Sequence, residues 1–240
     1  MSDAPRILYT GTRDPARFDA TPASAKITHA PMLRARSLDL VGTLAARWLE
    51  DRATDCGIVI YSRHALASLV ESGVLEPGRA IEVFCVGERT AERAREVLHG
   101  AMVHTAPADA QTFLGLARYL VERPALPSRL VSLGLSGRPR PLAQHLEARA
   151  GVEGIEQAAY ETLARDDVSA LPAPEKLDWV ALTSPRTARA WRDLVLRLED
   201  PEAQRAHLNL RRASIGPTTA RACAEEGIPC ELVADRPDAE

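Results

Sequence analysis

Two stretches of the chain place a glycine and a threonine where a predicted strand ends and a helix begins. One is VGERTAERA, with Gly87 and Thr90, and the other is IGPTTARACAEEGIP, with Gly216 and Thr219. Glycine allows a close backbone approach at such a turn, and a threonine at a helix start can cap one amide while neighbouring amides point outward. Outward amides at a helix N-terminus attract carboxylates and phosphates. Both stretches therefore predict an anion-binding site, with a well-capped turn as the alternative.

Both stretches belong to a longer internal repeat. Upstream of each lies a second strand end with a serine, Ser62 in IVIYSRHA and Ser184 in WVALTSPRTA. Two strand-and-helix pairs recur in the same order, so the repeated unit is a whole subdomain. A chain of 240 residues can form two domains of about 100 to 120 residues, each large enough to bury its own core. The repeat favours two domains over one.

Composition and charge narrow the class of protein. Hydrophobic residues make up 45% of the chain and charged residues 26%, which is typical of a globular protein in water. The net charge of −3 provides no general attraction for nucleic acid, so an anionic ligand needs local binding groups. The N-terminus lacks a basic segment followed by an apolar run, and no run of about 18 apolar residues occurs. We therefore expect a cytoplasmic protein without a membrane span.

The cysteines and histidines show no spacing typical of metal ligands. The four cysteines lie in or beside apolar segments without a C-x-x-C pair, which favours buried free thiols. None of the six histidines has a partner at metal-ligand spacing. No metal site is predicted.

Short apolar runs rich in β-branched residues predict seven strands, most of them followed by helical periodicity. Strands that alternate with helices are typical of parallel sheets covered on both faces, so the predicted fold class is α/β. The predicted strands are Arg6–Thr10, Gly57–Ser62, Ile81–Gly87, Arg129–Gly134, Trp179–Ser184, Arg212–Gly216 and Cys230–Val233.

Two segments interrupt this alternation and are interpreted as connections between domains. They are HAPMLRARSLD, from His29 to Asp39, and VEGIEQAAYETLA, from Val152 to Ala164. If both connect domains, one domain is discontinuous and each domain carries one copy of the repeat. The predicted organisation is a discontinuous domain of residues 1–31 and 162–240, an inserted domain of 39–155, and extended connectors at 32–38 and 156–161. Each domain is expected to be a parallel sheet flanked by helices.

Small polar residues gather at the predicted strand ends of the second copy, where open parallel sheets bind their ligands. Pro217 suits the first turn of a helix, because its missing N–H costs nothing there. The first copy is less regular, since Tyr61 stands where the second copy has Thr183, and Arg63 follows Ser62. An arginine at that position can clamp a carboxylate or remain solvated. A nucleotide-binding fold is disfavoured, because no glycine-rich phosphate motif follows any strand.

Taken together, IGPTTARACAEEGIP, LTSPRTA, VGERTAERA and the tyrosine of QAAYET resemble the uroporphyrinogen-III synthase family over most of the chain. The stretch SLGLSGRPRPLAQHLEARAG is similar to that family's middle domain. The resemblance implies two α/β domains joined by a pair of connectors, with the active site in the cleft between domains. It also implies a reaction, in which the linear tetrapyrrole hydroxymethylbilane closes with loss of water and inversion of ring D, without metal or organic cofactor.

The resemblance further implies roles for individual residues. Tyr160 matches the family's tyrosine at the return connector and is expected to donate a proton near the leaving hydroxyl, with a packing role at the hinge as the alternative. The substrate carries eight carboxylates, so a chain of net charge −3 needs several local anion-binding sites. The residues expected to bind it are Thr183, Ser184, Thr187, Gly216, Pro217, Thr218, Thr219, Ser62, Thr90 and Arg13.

The expected partner is this small-molecule substrate, with neither nucleic acid nor membrane. The default expectation is a monomer that makes transient contact with the preceding enzyme of the pathway.

Some features depart from the family pattern. The region from Pro15 to Lys26 is short and contains Pro22, which predicts a curtailed first helix, and VADRPDAE stops where a final helix is usual. Together with Tyr61, these departures favour the alternative function, a non-catalytic or regulatory two-domain protein that binds an anionic ligand in the cleft. Tyr160 and the intact LTSPRTA and IGPTTA stretches favour the enzyme.

Overall fold

The computed structural model of the protein describes residues 4–12, 15, 25–51, 55–138, 142–146 and 151–234. The chain forms two compact units: unit 1 comprises Met1–Arg34 and Leu163–Glu240, and unit 2 comprises Ala35–Thr162. The assignment of domains to residues 1–31 with 162–240 and to 39–155, with the two connectors between them, stays a prediction. The predicted short first helix and the C-terminal segment after residue 234 lie outside the described residues.

Strands and helices alternate along most of the chain. The strands are β1 (Arg6–Tyr9), β2 (Lys26–His29), β3 (Leu33–Ser37), β4 (Cys56–Ile60), β5 (Glu82–Cys85), β6 (Met102–Thr105), β7 (Arg129–Leu135), β8 (Glu153–Ala164), β9 (Trp179–Leu182), β10 (Arg211–Ser214) and β11 (Leu232–Val233). The α-helices are α1 (Leu44–Glu50), α2 (Arg63–Ser72), α3 (Glu88–Val97), α4 (Phe113–Glu122), α5 (Leu142–Leu146), α6 (Pro185–Val195), α7 (Pro201–Leu208) and α8 (Pro217–Glu225).

Each unit is built on an open sheet. The five strands of the sheet in unit 1 lie in the order β11-β10-β9-β1-β2, and the six strands of the other sheet lie in the order β3-β8-β7-β4-β5-β6. Neighbouring strands from β2 to β11 in the first sheet, and from β8 to β6 in the second, run parallel. This arrangement confirms the predicted α/β class with parallel sheets flanked by helices.

The two segments interpreted as connectors form paired strands, β3 and β8, within the second sheet. The backbone amide of Leu38 donates to the carbonyl of Ala159 at 2.8 Å, and the amide of Arg165 donates to the carbonyl of Met32 at 3.0 Å. Residue numbers rise along one strand as they fall along the other, so the pair is antiparallel. Both segments are extended, as expected, and they are also hydrogen-bonded to each other.

Alternation of buried side chains along β4 shows why the sheet of unit 2 needs helices on both faces. Ile58 and Ile60 lie in one buried cluster with residues of α1, α2 and α3. Val59, between them, lies in a second cluster with residues of α4 and α5. Successive side chains of a strand point to opposite faces, so a strand that is apolar throughout must be covered twice.

The core of unit 1 is centred on α6. Ala188, Trp191, Leu194 and Val195 recur at helical spacing on its buried face, and they belong to the same cluster as Leu8 of β1. At the edge of this core, the carboxylate of Asp178 accepts hydrogen bonds from the backbone amide and guanidinium of Arg6 at 2.8 to 3.1 Å. These bonds lower the pKa of Asp178 to about 2 and fix the start of β1 beside β9.

Helix boundaries follow local chemistry. The hydroxyl of Ser62 accepts a hydrogen bond from the amide of Ala65 and so caps α2 at its start. Gly73 ends the same helix with φ near +65°, in a left-handed conformation that disfavours residues with a Cβ.

Three of the four cysteines, Cys56, Cys85 and Cys223, are buried thiols as predicted. Burial raises the pKa of Cys56 to about 11 and that of Cys85 to about 12. Cys230 is only half-buried, so the expectation was wrong for that thiol.

Acid should destabilise unit 1 through His207. This side chain on α7 is only 2% exposed, and burial lowers its pKa while nearby Glu175 acts in the opposite direction. The unfolded chain then binds a proton more readily than the folded chain below about pH 6.5. We expect the free energy of unfolding to be smaller at pH 5.5 than at pH 7.5, with a smaller difference in His207→Leu, measured by urea denaturation.

The matched control for this experiment is His99→Leu, because His99 is exposed. The control should keep the pH dependence of the parent chain. An equal loss of stability at pH 5.5 in the parent and in His207→Leu would contradict the assignment.

Candidate active site

The order of strands locates one candidate site in each unit. In an open parallel sheet, ligands bind beyond the carboxyl ends of the two neighbouring strands at which the chain reverses its direction of growth. In unit 1 the chain adds β2 on one side of β1 and β9 on the other, so the reversal lies between β1 and β9. In unit 2 it adds β5 beside β4 and later β7 on the opposite side, so the reversal lies between β4 and β7.

The loop after β1 is held in one conformation. Thr10 is fully buried, and its backbone amide and its hydroxyl both donate to the carbonyl of Ala181 on β9, at 3.2 and 2.7 Å. A Cβ on Gly11 would overlap the phenol of Tyr9, so a larger residue there requires the Tyr9 ring to shift. The imidazole Nε2 of His29 lies 2.8 Å from the carbonyl oxygen of Gly11. These contacts position the strand end that leads to the candidate Arg13, which lies outside the described residues.

The start of α6 after β9 is closed by a capping box. The hydroxyl of Ser184 accepts from the amide of Thr187 at 3.1 Å, and the hydroxyl of Thr187 accepts from the amide of Ser184 at 2.8 Å. Thr187 is 3% exposed, and Pro185 supplies a first turn without an N–H. Both hydroxyls therefore cap the start of α6, and Thr183 lies between this capping box and the end of β9.

The start of α8 after β10 has a different character. Gly216 is the N-cap residue and no side chain caps the helix, so the expectation that a threonine caps this turn was wrong. Pro217 has no N–H, and within the part of the chain that the structure describes no acceptor is found for the amides of Thr218 and Thr219. Pro217 and Thr218 are exposed, whereas Thr219 is buried. Two main-chain donors and the positive end of the helix dipole are thus available for an anion.

The corresponding helix start in unit 2 is less suited to an anion. Gly87 is the N-cap of α3, again without a side-chain cap, but the amide of Thr90 donates to the carbonyl of Gly87 at 3.1 Å. Glu88 lies in the first turn, and its hydrogen bond with Arg95 lowers the pKa of its carboxyl. A carboxylate at this position repels a second anion, so the two copies of the repeat differ in electrostatics.

A break in strand register determines where Tyr160 lies. Gly134 of β7 is paired with Ala158 of β8, but the next residue, Leu135, is paired with Tyr160, so Ala159 is an extra residue. Ala159 and Tyr160 consequently both pack against the cluster that covers the α1–α3 face, although they are consecutive. A bulge of this kind re-aims a side chain.

The bulge brings Tyr160 to the start of α2. The rings of Tyr160 and His64 are 5.5 Å apart and tilted by 42°. Burial, and next the charge of Arg63, lower the pKa of His64, which keeps its imidazole neutral at pH 7. His64 lies in the first turn of the helix that Ser62 caps, so Ser62 and Tyr160 lie in one region of unit 2.

The structure therefore groups the predicted residues by unit. In unit 1, the ends of the neighbouring strands β9 and β10 carry Thr183, Ser184, Thr187, Gly216, Pro217, Thr218 and Thr219. In unit 2, Ser62 and Tyr160 are linked through His64, and Thr90 lies one strand further on. Sequence reasoning missed His64 as a neighbour of Tyr160, because nothing in a single sequence reports a contact between a helix and a distant strand.

No group of histidine, cysteine, aspartate and glutamate residues suited to a metal ion occurs among the described residues. In the same part of the chain, no helix is both long and apolar enough to cross a membrane.

Comparison with protein families gives a match over residues 22–240, to the HEM4 model, described as uroporphyrinogen-III synthase HemD. The chain belongs to the uroporphyrinogen-III synthase family. This confirms the predicted family and identifies an enzyme of the cyclising hydro-lyase class, which acts in the biosynthesis of porphyrins and heme. The reaction of uroporphyrinogen-III synthases is the ring closure of hydroxymethylbilane with loss of water and inversion of ring D. Nothing in the comparisons favours the non-catalytic alternative.

A solved structure shows the same fold. The uroporphyrinogen-III synthetase of Helicobacter pylori 26695 is 18% identical, with 98% of this chain and 94% of that chain covered and a TM-score of 0.54. A mutant uroporphyrinogen III synthase of the extremely thermophilic bacterium Thermus thermophilus is 21% identical, with the same coverage and a TM-score of 0.45. Comparison with the curated proteins finds no match.

Proposed function

We propose that this uroporphyrinogen-III synthase works without a cofactor, by holding substrate carboxylates on main-chain amides and by supplying one proton from Tyr160. The uncapped start of α8 is the observation that carries this proposal. Its two available amides can donate hydrogen bonds to a carboxylate, and the helix dipole favours the negative charge without a positive side chain. The substrate carries eight carboxylates, so each unit can bind part of it through its own strand ends.

The remaining candidates have distinct roles in this proposal. Ser184 and Thr187 hold α6 at the end of β9, so their contribution to substrate binding is through the position of that turn and of Thr183. Ser62 likewise holds the start of α2, where His64 contacts Tyr160. Thr90 is the weakest candidate for a carboxylate contact, because Glu88 lies beside it. Arg13 stays a candidate for substrate binding on the basis of the sequence alone.

Positioning is the main requirement of the chemistry. Hydroxymethylbilane is itself reactive, so the enzyme must favour the inverted product over direct ring closure, and geometry fixed at several points achieves this. Departure of the hydroxyl group needs a proton, and a phenol near the leaving oxygen can provide it. Tyr160 is the proposed donor, because the bulge in β8 turns its ring toward the start of α2.

Formation of the type III isomer tests the function. Hydroxymethylbilane is generated in situ, and the products are oxidised and separated as type I and type III isomers. We expect the type III isomer to predominate with the protein present and the type I isomer to predominate without it. A product mixture no richer in type III than the enzyme-free reaction would reject the function.

Substitution of Thr218 tests the proposed anion-binding site at the start of α8. Thr218→Asp places a carboxylate at the N-terminus of α8, where it stabilises the helix and competes with the substrate. We expect KM to rise about tenfold, which corresponds to about 1.4 kcal/mol of binding, with no loss of thermal stability. Thr218→Asn is the matched neutral control and should keep KM within about threefold of the parent. An unchanged KM in Thr218→Asp would exclude this helix start as a contact.

We further propose that the protein acts in the cytoplasm as a monomer, with transient contact to the preceding enzyme of the pathway and with neither nucleic acid nor membrane as a partner. The net charge of −3 supports the last part of this proposal, because it offers no general attraction for nucleic acid or for anionic lipid surfaces. Light scattering of the purified protein should give the mass of one chain, and a mass of two chains would contradict the proposal.

A further inference from the structure

The backbone that carries Tyr160 is held from both sides of β8. The amide of Leu38 donates to the carbonyl of Ala159 at 2.8 Å, and the amide of Ser136, just after β7, donates to the carbonyl of Tyr160 at 2.8 Å. The bulge in β8 lies at the same point. The Cα of Tyr160 therefore has a fixed position, and the place of its hydroxyl depends on the torsions of the side chain.

The backbone of His64 is also fixed. His64 lies in the first turn of α2, which Ser62 caps by accepting a hydrogen bond from the amide of Ala65 at 3.2 Å. The hydroxyl of Ser68, a fully buried residue, donates to the carbonyl of His64 at 3.0 Å. The imidazole therefore projects from a rigid helix start.

The side chains of these two residues meet at their rings. The ring centroids of His64 and Tyr160 are 5.5 Å apart, and the ring planes are tilted by 42°. Tyr160 also packs against the buried cluster of unit 2 that contains Ala65 and Leu66 of α2. Rotation of the phenol ring away from this position loses the contact with the imidazole, so the contact stabilises one orientation of Tyr160.

The imidazole at this position carries no charge at pH 7. Burial, and next the charge of Arg63, lower the pKa of His64. A neutral imidazole can lie against the phenol ring without the cost of removing water from a charged group. The charge state of His64 thus favours the same ring contact.

We propose that His64 is a positioning residue for the phenol of Tyr160 in the ring-closing reaction. The imidazole holds the phenol where its hydroxyl reaches the leaving group of the substrate. The proton of Tyr160 passes to the hydroxyl group of the substrate, which leaves as water with the electron pair of its C–O bond, and Tyr160 remains as a phenolate. A misplaced donor slows this step and leaves substrate binding unchanged. This inference rests on the proposed function, because it needs Tyr160 as the proton donor.

A double-mutant cycle between His64 and Tyr160 tests the inference. We expect His64→Ala to lower kcat for formation of the type III isomer about tenfold, with KM within about twofold of the parent. His64→Phe, which restores a ring, should keep kcat within about threefold of the parent. In the Tyr160→Phe background there is no hydroxyl to position, so adding His64→Ala should change kcat less than about twofold. The matched control is His99→Ala, which replaces an exposed histidine and should keep the kcat of the parent.

The cycle separates positioning from a purely structural role. An equal loss of kcat from His64→Ala in both backgrounds would overturn the inference, because a structural role does not depend on the hydroxyl of Tyr160. A kcat for His64→Ala equal to that of His99→Ala would also overturn it. Both results leave the proposed function intact, whereas a kcat of the parent value in Tyr160→Phe rejects Tyr160 as the donor and the inference with it.

Proton NMR tests the ring contact without turnover. The Hε1 resonance of His64, assigned by its absence in His64→Phe, should show a ring-current shift in the parent and in Tyr160→Phe. It should move toward the position of a free histidine in Tyr160→Ala. An unshifted resonance in the parent would overturn the inference even if the protein forms the type III isomer. Thermal unfolding of each variant identifies any loss of kcat that arises from misfolding.

Discussion

Replacing Tyr160 by phenylalanine should lower kcat for formation of the type III isomer about 10²-fold, with KM little changed. The substitution removes the hydroxyl group of the proposed proton donor and keeps the ring that packs against the α1–α3 face of unit 2. General acid catalysis contributes about 10²-fold to 10⁴-fold to such reactions, and the lower bound applies because the substrate is reactive without an enzyme. Steady-state kinetics with hydroxymethylbilane generated in situ measures both constants.

The matched control is Tyr119→Phe, which removes the hydroxyl of a tyrosine on α4 that accepts a hydrogen bond from Arg123. Its kcat should equal that of the parent. A kcat within twofold of the parent for Tyr160→Phe would assign Tyr160 to packing alone. In that case Tyr160→Ala would still destabilise unit 2, since it removes the ring.

Replacing Trp191 by alanine should destabilise unit 1 by about 3 to 5 kcal/mol. Trp191 is completely buried and has the largest volume of the fully buried side chains. Loss of its contacts combines with the cavity that remains. Its indole nitrogen has no hydrogen-bond partner among the described residues, so packing accounts for its contribution. Urea denaturation followed by circular dichroism measures the change in the free energy of unfolding.

Trp179→Ala is the control within the same unit. Trp179 lies at the start of β9, is only half-buried, and has the guanidinium of Arg211 3.8 Å from its ring centre. A cation–π contact at an exposed site contributes about 0.5 to 1 kcal/mol, so the total loss should be clearly smaller than for Trp191. Equal losses for the two variants would show that α6 does not form the centre of this core.

Much of the fold could be predicted because the same order of strands and helices occurs in both copies of the repeat. The strands β4, β5, β9 and β10 and the helices that follow them were located from their apolar runs and from the small residues at their ends. The strands β2 and β6 were missed. Each is a four-residue edge strand, KITH and MVHT, without a continuous apolar run. An edge strand is stabilised by pairing with one neighbouring strand, and a single sequence does not reveal which strand that is.

The candidate site was predictable only in part. Residue type and position located the helix starts, but they could not separate a capped start from an open one. Ser184 and Thr187 form a capping box at the start of α6. Gly216 has no side chain that could cap the first amides of α8. That difference depends on which hydroxyl reaches which amide. The hydrogen bond between the hydroxyls of Ser132 and Tyr61 requires β4 and β7 to be neighbours, although about 70 residues separate the two side chains along the chain.

The extra residue in β8 makes the position of Tyr160 sensitive to a deletion in this strand. In a regular strand, Tyr160 would point to the same side as Glu156 and Ala158, away from His64. Ala159 reverses the phase of the strand at that point, so its deletion would carry the phenol through the sheet to the other surface. Insertions and deletions are usually tolerated between secondary structure elements. Here the loss of Ala159 alone would separate the phenol of Tyr160 from His64, although the sequence would still contain every candidate site residue.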